Sequence, residues 1–427
     1  MWKLVFLTYC WLFFGSVSVK GLRLLQSTTL GQDPQTVNRL NGESFQQDAL
    51  VTFNGYQYAV FWTADASNTS VRHPSVSRRG LQGSSGWETF TLSDYDGTDD
   101  DGHDVISLGI SQGDGTLHIG FDQHDNPLRY RVSKTGIATH PTINPWSPQI
   151  FGPTLDYLPG LESLDKNVFF INVTYPRFLS IPTGGRKSDS DLLFEIRVGR
   201  SGLGDDWLYR YTPGKGWAQI GRYLENHDMD YAYSHNLGET WMNNWNQQIA
   251  NSSAEEPILP VSAGITVFSI PKYGGILNQE AQTIDAEGRI HVLNRENTTG
   301  VEQWYHYWRS TATHWTRTVL PPPSNLPSIN NITGTPTVIG KRGKLVAPRS
   351  GGEALLAILP SNAPNATALS IIGSTAQGHF RDWKVLWEAV DGCVAEPLFD
   401  RYRLEEDGVL SLFLVNGTML QVEDFEL

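Results

Sequence analysis

Short predicted β-strands recur along the chain in groups of four, and this repetition constrains the fold more than any other feature. Residues 48 to 92 contain the segments DALVTF, YQYAVFWT, SVRHPSVSRR and GWETFTL, which are separated by turn residues. Comparable groups of four segments follow at 174 to 221, 278 to 320 and 344 to 388. Four-strand units that repeat at this spacing are typical of the blades of a β-propeller.

Two further units have only three strands each. Residues 102 to 133, GHDVISLGISQGDGTLHIGFDQHDNPLRYRVS, predict a three-strand meander, and residues 395 to 427 end the chain with three more strands. The isolated strand LRLLQSTTL, at 22 to 30, supplies the strand that the last unit lacks. We therefore predict an all-β protein, a seven-bladed β-propeller closed by the N-terminal strand, with 19 to 427 as a single domain. A β-sandwich and a right-handed β-helix are the competing architectures.

The predicted fourth blade departs from this pattern. YAYSHNLGETW, at 231 to 241, fits the Asp-box turn S-x-D-x-G-x-T-W, with Asn236 in the position of the aspartate. This turn normally joins the third and fourth strands of a blade, yet only residues 222 to 230 separate it from the third unit. That stretch is too short for two strands and a turn. Either the fourth blade is truncated, or residues 242 to 277 complete it, or the transcript has lost an exon.

The N-terminus and the composition predict a secreted, soluble glycoprotein. Met1 to Ser18 has a basic start, an apolar run and small residues at its end, as in a signal peptide, and no other apolar run could span a membrane. Seven Asn-x-Ser/Thr sequons follow. Cys10 leaves with the signal peptide, so Cys393 has no partner and the fold must stand without disulfides. Removal of Lys3 changes the formal net charge from -13 to -14, which argues against nucleic acid or an anionic membrane surface as a partner.

The propeller topology predicts which polar residues share one rim. The inner strand of each blade starts at one face, and the loop between the second and third strands returns to that face. This rule brings together the residues His103, His124, Arg129, Tyr175, Arg197, Asn278, Gln279 and Arg342. A rim rich in imidazole, guanidinium and amide groups on an acidic protein suits a ligand that carries carboxylates.

Such a set of residues can support β-elimination on a uronic acid. The C5 proton of a uronate is weakly acidic, so Arg and amide donors must neutralise the carboxylate and stabilise the intermediate. A His or a Tyr can then take the C5 proton while a second such group protonates the leaving O4 oxygen.

Structural interpretations compete with this functional one. His103 follows three aspartates and could be paired in an acidic loop, His124 could cap a turn, and Tyr175 could be a core aromatic. His118 and His291 lie in the middle of strands and are predicted to be packed. The run DGTDDDGHD offers the oxygen ligands of a structural calcium site, but it lacks the EF-hand spacing. No HExxH, GxSxG or Cys/His zinc-ligand spacing occurs, so a zinc protease and a serine hydrolase have no support. For the chemistry itself we expect no cofactor.

Six motifs in order resemble the BNR-repeat seven-bladed propeller lyases, which include ulvan lyases and the secreted fungal L-rhamnose-α-1,4-D-glucuronate lyases. The motifs are residues 102 to 133 together with VTYPRF, LLFEIRVGRSGLGD, DYAYSHNLGETW, LNQEAQTIDAEGRIHVLN and AEPLFDRYRLEEDGVLSLF. The resemblance implies elimination at a rhamnose-glucuronate bond, which leaves a 4,5-unsaturated uronate. It points to His103 and His124 as catalytic imidazoles, to Tyr175 as a catalytic phenol and to Arg197 as the carboxylate neutraliser. It does not fix which of His103, His124 and Tyr175 is the base and which is the acid.

The resemblance also suggests a substrate and leaves two other functions open. Because the chain reads as eukaryotic and secreted, we expect a monomer that removes terminal rhamnose from glucuronate on arabinogalactan-type glycans. A propeller glycosidase of the rhamnosidase or sialidase kind is the first alternative, and it would need a carboxylate pair at the same rim. A non-catalytic glycan-binding propeller is the second, and a broken fourth blade would favour it.

Overall fold

The structure is a computed structural model. It describes residues 21–44, 48–83, 86–181, 192–200, 203–224, 228–271, 281–296, 303–309, 314–321, 341–348, 354–361 and 365–427. The predicted signal peptide, residues 1 to 18, lies outside the described residues. In the part that is described, no helix is both long and apolar enough to cross a membrane.

The first two blades follow the N-terminal strand. Their strands are β1 (Arg23–Gln32), then β2 (Leu50–Phe53), β3 (Tyr56–Ala64), β4 (Arg72–Gly80) and β5 (Glu88–Thr91) in the first blade, and β6 (Ile106–Ile110), β7 (Leu117–Phe121) and β8 (Tyr130–Val132) in the second. Asn54 and Gly55 join β2 to β3 with φ angles of 51° and 74°. Two positive φ angles define the type I′ turn, whose twist matches that of a hairpin.

A third blade and a linking segment come next. After helix α1 (Lys166–Phe169), the third blade contains β9 (Val173–Ser180), β10 (Leu192–Val198), β11 (Asp205–Thr212) and β12 (Gly216–Tyr223). Residues 228–271, which we call the linking segment, contain β13 (Met229–Asp230), β14 (Thr240–Met242), β15 (Gln248–Asn251) and β16 (Thr266–Phe268). In this segment β13 pairs with β16 and β14 pairs with β15, as two separate ribbons.

Three more blades complete the ring. The fourth blade contains β17 (Ala281–Ile284), β18 (Ile290–Glu296), β19 (Gln303–Arg309) and β20 (Trp315–Val319), and the fifth contains β21 (Lys344–Val346), β22 (Ala354–Pro360), β23 (Leu369–Thr375) and β24 (Lys384–Ala389). The sixth contains β25 (Leu398–Phe399), β26 (Val409–Asn416) and β27 (Met419–Glu426), with helix α2 (Arg401–Asp407) between β25 and β26. The N-terminal strand closes the ring as predicted, because β1 pairs with β27 from Arg23–Glu426 to Gln32–Met419.

The prediction of seven blades is wrong. The described residues form six sheets of three or four strands, which makes the protein an all-β, six-bladed β-propeller. The linking segment occupies the place of the predicted fourth blade, but its strands are only two to four residues long and both of its ribbons have a register shift. The Asp-box turn itself forms, since Asn236 Oδ1 accepts the backbone N–H of Thr240 at 2.9 Å. The turn is therefore present without the four-stranded sheet that usually carries it.

The core lies between neighbouring blades. Trp62 and Ile119 belong to one cluster between the first two blades, and Tyr130 and Phe194 belong to another between the second and third. The linking segment fills its own place differently. It packs Trp241 beside Gly221 of the third blade and Tyr231 against Trp315 of the fourth, with 5.4 Å between the ring centroids. Ala250, Ile258 and Ile265 of the linking segment form a small buried cluster, against which Tyr223 of the third blade packs.

Candidate active site

Two imidazoles lie face to face at one rim of the propeller. The ring centroids of His103 and His124 are 3.9 Å apart, and their planes differ by 25°. His103 comes just before β6 and His124 lies between β7 and β8, so the meander returns both side chains to the same face, as the sequence predicts. Their side chains are 18% and 24% exposed, which leaves part of each ring accessible to a ligand.

Asp101 joins the two imidazoles. The sequence indicates that His103 could pair in the acidic loop, but it does not identify Asp101 as a site residue or its bond to His124. Asp101 Oδ1 lies 2.6 Å from His103 Nδ1 and its Oδ2 lies 2.6 Å from His124 Nδ1. Both Nδ1 atoms are therefore engaged by one carboxylate, so proton exchange with a substrate would pass through Nε2 of either ring. The available signal was the spacing of Asp101 two residues before His103, because an aspartate there can bond the backbone and the ring of that residue. His103 N does donate to Asp101 Oδ1, at 3.0 Å.

Burial and hydrogen bonding move the pKa values of this cluster in opposite directions. Burial lowers the pKa of His103, although the hydrogen bond to Asp101 raises it in part. Burial raises the pKa of Asp101, but hydrogen bonds from His103 and His124 outweigh it and hold the pKa of that carboxyl well below its usual range. At neutral pH the cluster thus pairs an ionised Asp101 with a neutral His103, which is the form of an imidazole that can accept a proton.

A second carboxyl group, that of Asp104, lies close enough to the cluster for the charge of Asp101 to act on it. Burial, and then the charge of Asp122, raises the pKa of Asp104 to about 8. Asp104 is 2% exposed, and its Oδ1 has no hydrogen-bond partner among the residues that the structure describes.

Tyr175 completes the group from the neighbouring blade. Its ring lies 5.8 Å from that of His103, and the residue is 8% exposed. Tyr175 has a left-handed backbone with a φ of 59°, and the β9–β10 register shifts there, between the pairs formed by Glu195 and Arg197. A tyrosine in this conformation costs about 1–3 kcal/mol, and such strain concentrates at functional sites. The bulge turns Tyr175 out of the strand alternation and towards His103.

Arg197 stands behind Tyr175, near the end of β10. Its Cζ lies 5.0 Å from the Tyr175 ring centroid, and its Nη2 donates to Asp125 Oδ1 at 2.7 Å and to Thr174 Oγ1 at 2.9 Å. Its Nε is buried and has no hydrogen-bond partner among the described residues. Gly204 makes room for this side chain, because a Cβ at Gly204 would lie 2.7 Å from Arg197 Cγ.

The other predicted rim residues are placed differently. Arg129 lies against Asp122, with Nη1 3.2 Å from Oδ2, and its side chain is 25% exposed. Arg342 is 1% exposed and its Nη1 lies 3.0 Å from Glu396 Oε1. The charge of Arg342 also lowers the pKa of His103. Asn278 and Gln279 lie outside the described residues. The structure thus brings His103, His124, Tyr175 and Arg197 together, and the roles of all eight residues stay predictions.

The imidazole cluster also has the composition of a metal site. One ligand atom from each of Asp101, His103 and His124 lies within 4.8 Å of the others. Two imidazoles and one carboxylate suit a transition metal better than calcium, which prefers oxygen ligands. The calcium site predicted for the run at 96 to 104 stays a prediction. In that run, Asp100 uses both carboxylate oxygens to accept the backbone N–H groups of Val37 and Asn38.

Comparisons with known proteins agree with this fold. Residues 56–224 and 217–321 match the family described as BNR repeat-containing family member. The comparison with curated proteins finds no match. The crystal structure of the polysaccharide lyase Uly1 is 16% identical, with a TM-score of 0.65 over 94% of this chain and 99% of that one.

A second type of solved structure is also similar. A PL25 ulvan lyase is 14% identical, with a TM-score of 0.56 over 92% of this chain and 96% of that one. The same kind of enzyme bound to -[GlcA(1-4)Rha3S]- is likewise 14% identical, with a TM-score of 0.56 over 91% of this chain and 96% of that one. At these identities the likeness shows a common fold and assigns no residue a role.

Proposed function

The chain belongs to the BNR repeat-containing family, and from that premise we propose that it is a polysaccharide lyase that cleaves an acidic glycan by β-elimination. The observation that carries the proposal is the joint placement of His103, His124, Tyr175 and Arg197 at one rim, with Asp101 bonded to both imidazoles. Two solved structures with a similar fold are named as polysaccharide lyases, and this supports a lyase reaction for the present protein.

The first requirement of the reaction is a cation for the substrate carboxylate. Elimination breaks the C5–H bond and places negative charge on the carboxylate and C5 before the C4–O4 bond breaks. A fixed cation beside that charge stabilises the transition state more than the ground state. Arg197 suits this role because its guanidinium is held by Asp125 and Thr174, so it needs little reorganisation as the charge develops.

The second requirement is a base and an acid on the same rim. We assign the base to His103, because burial lowers its pKa and keeps the ring neutral at neutral pH. His103 Nε2 takes the C5 proton, the C5–H electron pair forms the C4=C5 double bond, and the O4 oxygen leaves with the C4–O4 pair and gains a proton. His124 and Tyr175 are the two proton donors beside His103, and the variants His124→Ala and Tyr175→Phe distinguish them.

We propose the L-rhamnose-α-1,4-D-glucuronate linkage as the bond that is cleaved. The motif resemblance supports this choice, and so does the bound glycan named for one PL25 ulvan lyase, which contains glucuronate and a rhamnose derivative. We also propose that the protein is secreted, because the first 18 residues have the pattern of a signal peptide and an extracellular enzyme would meet such glycans.

One spectroscopic assay tests the proposal. The protein is incubated with a rhamnose-capped glucuronate oligosaccharide, and the ultraviolet absorbance of the unsaturated uronate is followed together with free rhamnose. A lyase gives both signals, a glycosidase gives rhamnose without the absorbance, and a glycan-binding propeller gives neither. The variants His103→Ala and His124→Ala should each lose the absorbance, whereas His140→Ala, an exposed histidine in another loop, should keep it. Full activity in both His103→Ala and His124→Ala would overturn the assignment.

A further inference from the structure

A cavity of about 290 Å³ lies between the third blade and the linking segment. Its walls include Asp206 and Tyr223 on the blade and Asp230 and Trp241 on the segment, together with apolar side chains such as Ile258 and Ile265. The linking segment, which occupies the place of the predicted fourth blade, forms one side of the cavity. Its volume is close to the lower end of the range for small-molecule pockets, which combine apolar walls with a few placed polar groups.

The strand register connects this cavity to the candidate active site. Arg197 on β10 is the direct partner of Asp206 on β11, and Asp206 is the direct partner of Tyr223 on β12. Directly opposed residues point to the same face of a sheet. Neighbouring strands lie about 4.8 Å apart, so the backbones of Asp206 and Tyr223, which line the cavity, lie roughly 5 and 10 Å from that of Arg197 across the sheet. A short oligosaccharide with its uronate at Arg197 can reach it.

The polar atoms in the cavity walls are not all satisfied. Trp241 Nε1 and Asp230 Oδ1 are both buried and have no hydrogen-bond partner among the described residues. The other carboxylate oxygen of Asp230 accepts the hydroxyl of Tyr223, which fixes the orientation of the aspartate. A buried N–H donor and a buried carboxylate acceptor are each destabilised when they lack a partner, so a ligand that bonds both is favoured.

The acidic side chains of the cavity walls favour a neutral ligand over an anionic one. The wall carries the carboxyl groups of Glu195, Asp206 and Asp230, and the one basic residue among its described members, Arg222, is paired with Asp205 at 2.6 Å. An anionic sugar would be repelled here. A neutral sugar offers hydroxyl groups to Trp241 Nε1 and Asp230 Oδ1 and presents its C–H faces to the indole and to the apolar side chains.

We propose that this cavity is a subsite for a neutral sugar residue of the glycan whose uronate lies at Arg197. This proposal rests on the proposed lyase function, because that function places the uronate of the glycan at Arg197. Binding of a neutral sugar in the cavity does not itself require elimination. The subsite would give the enzyme a preference for glucuronate that is attached to a neutral chain over glucuronate in a minimal disaccharide.

Two substrates and three variants test this subsite. The substrates are rhamnosyl-glucuronate and the same disaccharide extended at the glucuronate by neutral galactose residues. We expect Trp241→Ala and Asp230→Asn to lower kcat/KM for the extended substrate about tenfold, the loss of one good hydrogen bond or contact, and to change kcat/KM for the disaccharide less than twofold. The matched control is Trp245→Ala, which removes a 58% exposed indole from the same segment outside the cavity. If Trp241→Ala does not fold, Asp230→Asn, which keeps the shape of the side chain, carries the test.

Equal losses on both substrates, or no loss on either, would overturn the subsite. Binding separates this failure from failure of the lyase proposal. The galactose-extended glycan is titrated into the full chain by calorimetry, with wild type, Trp241→Ala and Asp230→Asn in parallel. Wild-type binding that both variants weaken supports the subsite even when no unsaturated uronate forms. A wild-type dimer that Trp241→Ala converts to a monomer in sedimentation would assign the cavity to a second copy of the chain and contradict the proposal.

Discussion

The bridge that Asp101 forms between the two imidazoles can be removed by one isosteric substitution, Asp101→Asn. The carboxylate accepts from Nδ1 of His103 and of His124, both at 2.6 Å. An amide has one acceptor oxygen, so it can replace one of these hydrogen bonds, while its NH₂ group faces the other ring as a donor. That second ring must then move its proton to Nε2 or turn away. In either case one of the two rings no longer presents the nitrogen that the reaction uses.

The structure sets the size of the effect. Hydrogen bonds to a charged group contribute about 1.5–3 kcal/mol, and each 1.36 kcal/mol changes a rate about tenfold. Because 40% of the Asp101 side chain is exposed, solvent screens the charge and the lower half of that range applies. We therefore expect kcat for uronate elimination to fall about 10- to 45-fold, with a smaller change in KM, since Asp101 holds the imidazoles and not the substrate.

The pH profile distinguishes this positioning role from a general loss of structure. The neutral form of His103 is the base, so activity falls as the pH drops through its pKa, which burial holds below the ordinary value of about 6.5. The hydrogen bond to Asp101 raises this pKa, so Asp101→Asn should lower it further and move the acid limb of kcat/KM to lower pH. The control Asp99→Asn removes a charge from the same loop but leaves both Nδ1 bonds in place. Asp101→Asn activity within twofold of wild type, with an unmoved acid limb, would refute the reasoning.

Three further predictions test other parts of the structure. Arg197→Lys keeps the charge but loses the planar guanidinium, so we expect kcat for elimination to fall about 10- to 100-fold with KM changed less, and equal activity would remove Arg197 from the mechanism. Burial lowers the pKa of His118 to about 3. The unfolded chain, with a histidine pKa of about 6.5, therefore binds more protons below that pH, and this residue alone costs about 2 kcal/mol of stability between pH 7 and pH 5. His118→Gln should flatten that part of the urea-unfolding profile, and an unchanged profile would contradict this. Burial raises the pKa of Cys393 to about 12, so a thiol reagent at about pH 8 should label it only after unfolding, and rapid labelling of the native protein would show that it is accessible.

The repeat pattern carries most of the fold but not the number of blades. Strand alternation and turn residues identify the units, and the N-terminal strand was correctly assigned to the last blade because that unit lacks one strand. The Asp-box motif at Ser234 to Trp241 led to the wrong prediction of an additional blade. It specifies a local turn through side-chain hydrogen bonds such as that from Thr240 N to Asn236 Oδ1, and this turn forms whether or not four strands flank it. Blade formation depends on long-range pairing, which no local motif encodes.

The site shows the same division between local and long-range information. Topology alone placed His103 and His124 on one rim, because the return of a meander follows from strand count. The bulge at Tyr175 appears in the sequence only as a Tyr-Pro pair, and its left-handed φ of 59° depends on packing. Pro176, the next residue, packs closely against Gly120 of the second blade. A Cβ added at Gly120 would lie only 2.8 Å from Pro176 Cβ, so a larger residue there would collide with it.

Asp101 and Arg342 illustrate the limit of sequence reasoning. Asp101 resembles any residue of a solvated acidic loop, and its role depends on His124, which is 23 residues away. Arg342 does belong near the rim by topology, but Glu396 pairs with its guanidinium inside the protein, 54 residues along the chain. Pairs of opposite charge at such separations leave no local signature, so sequence patterns predict which strand carries a residue better than they predict what its side chain contacts.

Product analysis in water enriched in heavy oxygen tests the central claim most directly. The protein is incubated with the rhamnose-capped glucuronate oligosaccharide, and the new chain ends are examined by mass spectrometry and by ultraviolet absorbance. Elimination takes no oxygen from water, so the proposed mechanism predicts an absorbing, unsaturated uronate and free rhamnose with no label fixed by the cleavage step. Cleavage that places heavy oxygen in the product as the bond breaks, with a saturated uronate and no absorbance, would show hydrolysis and contradict the lyase assignment.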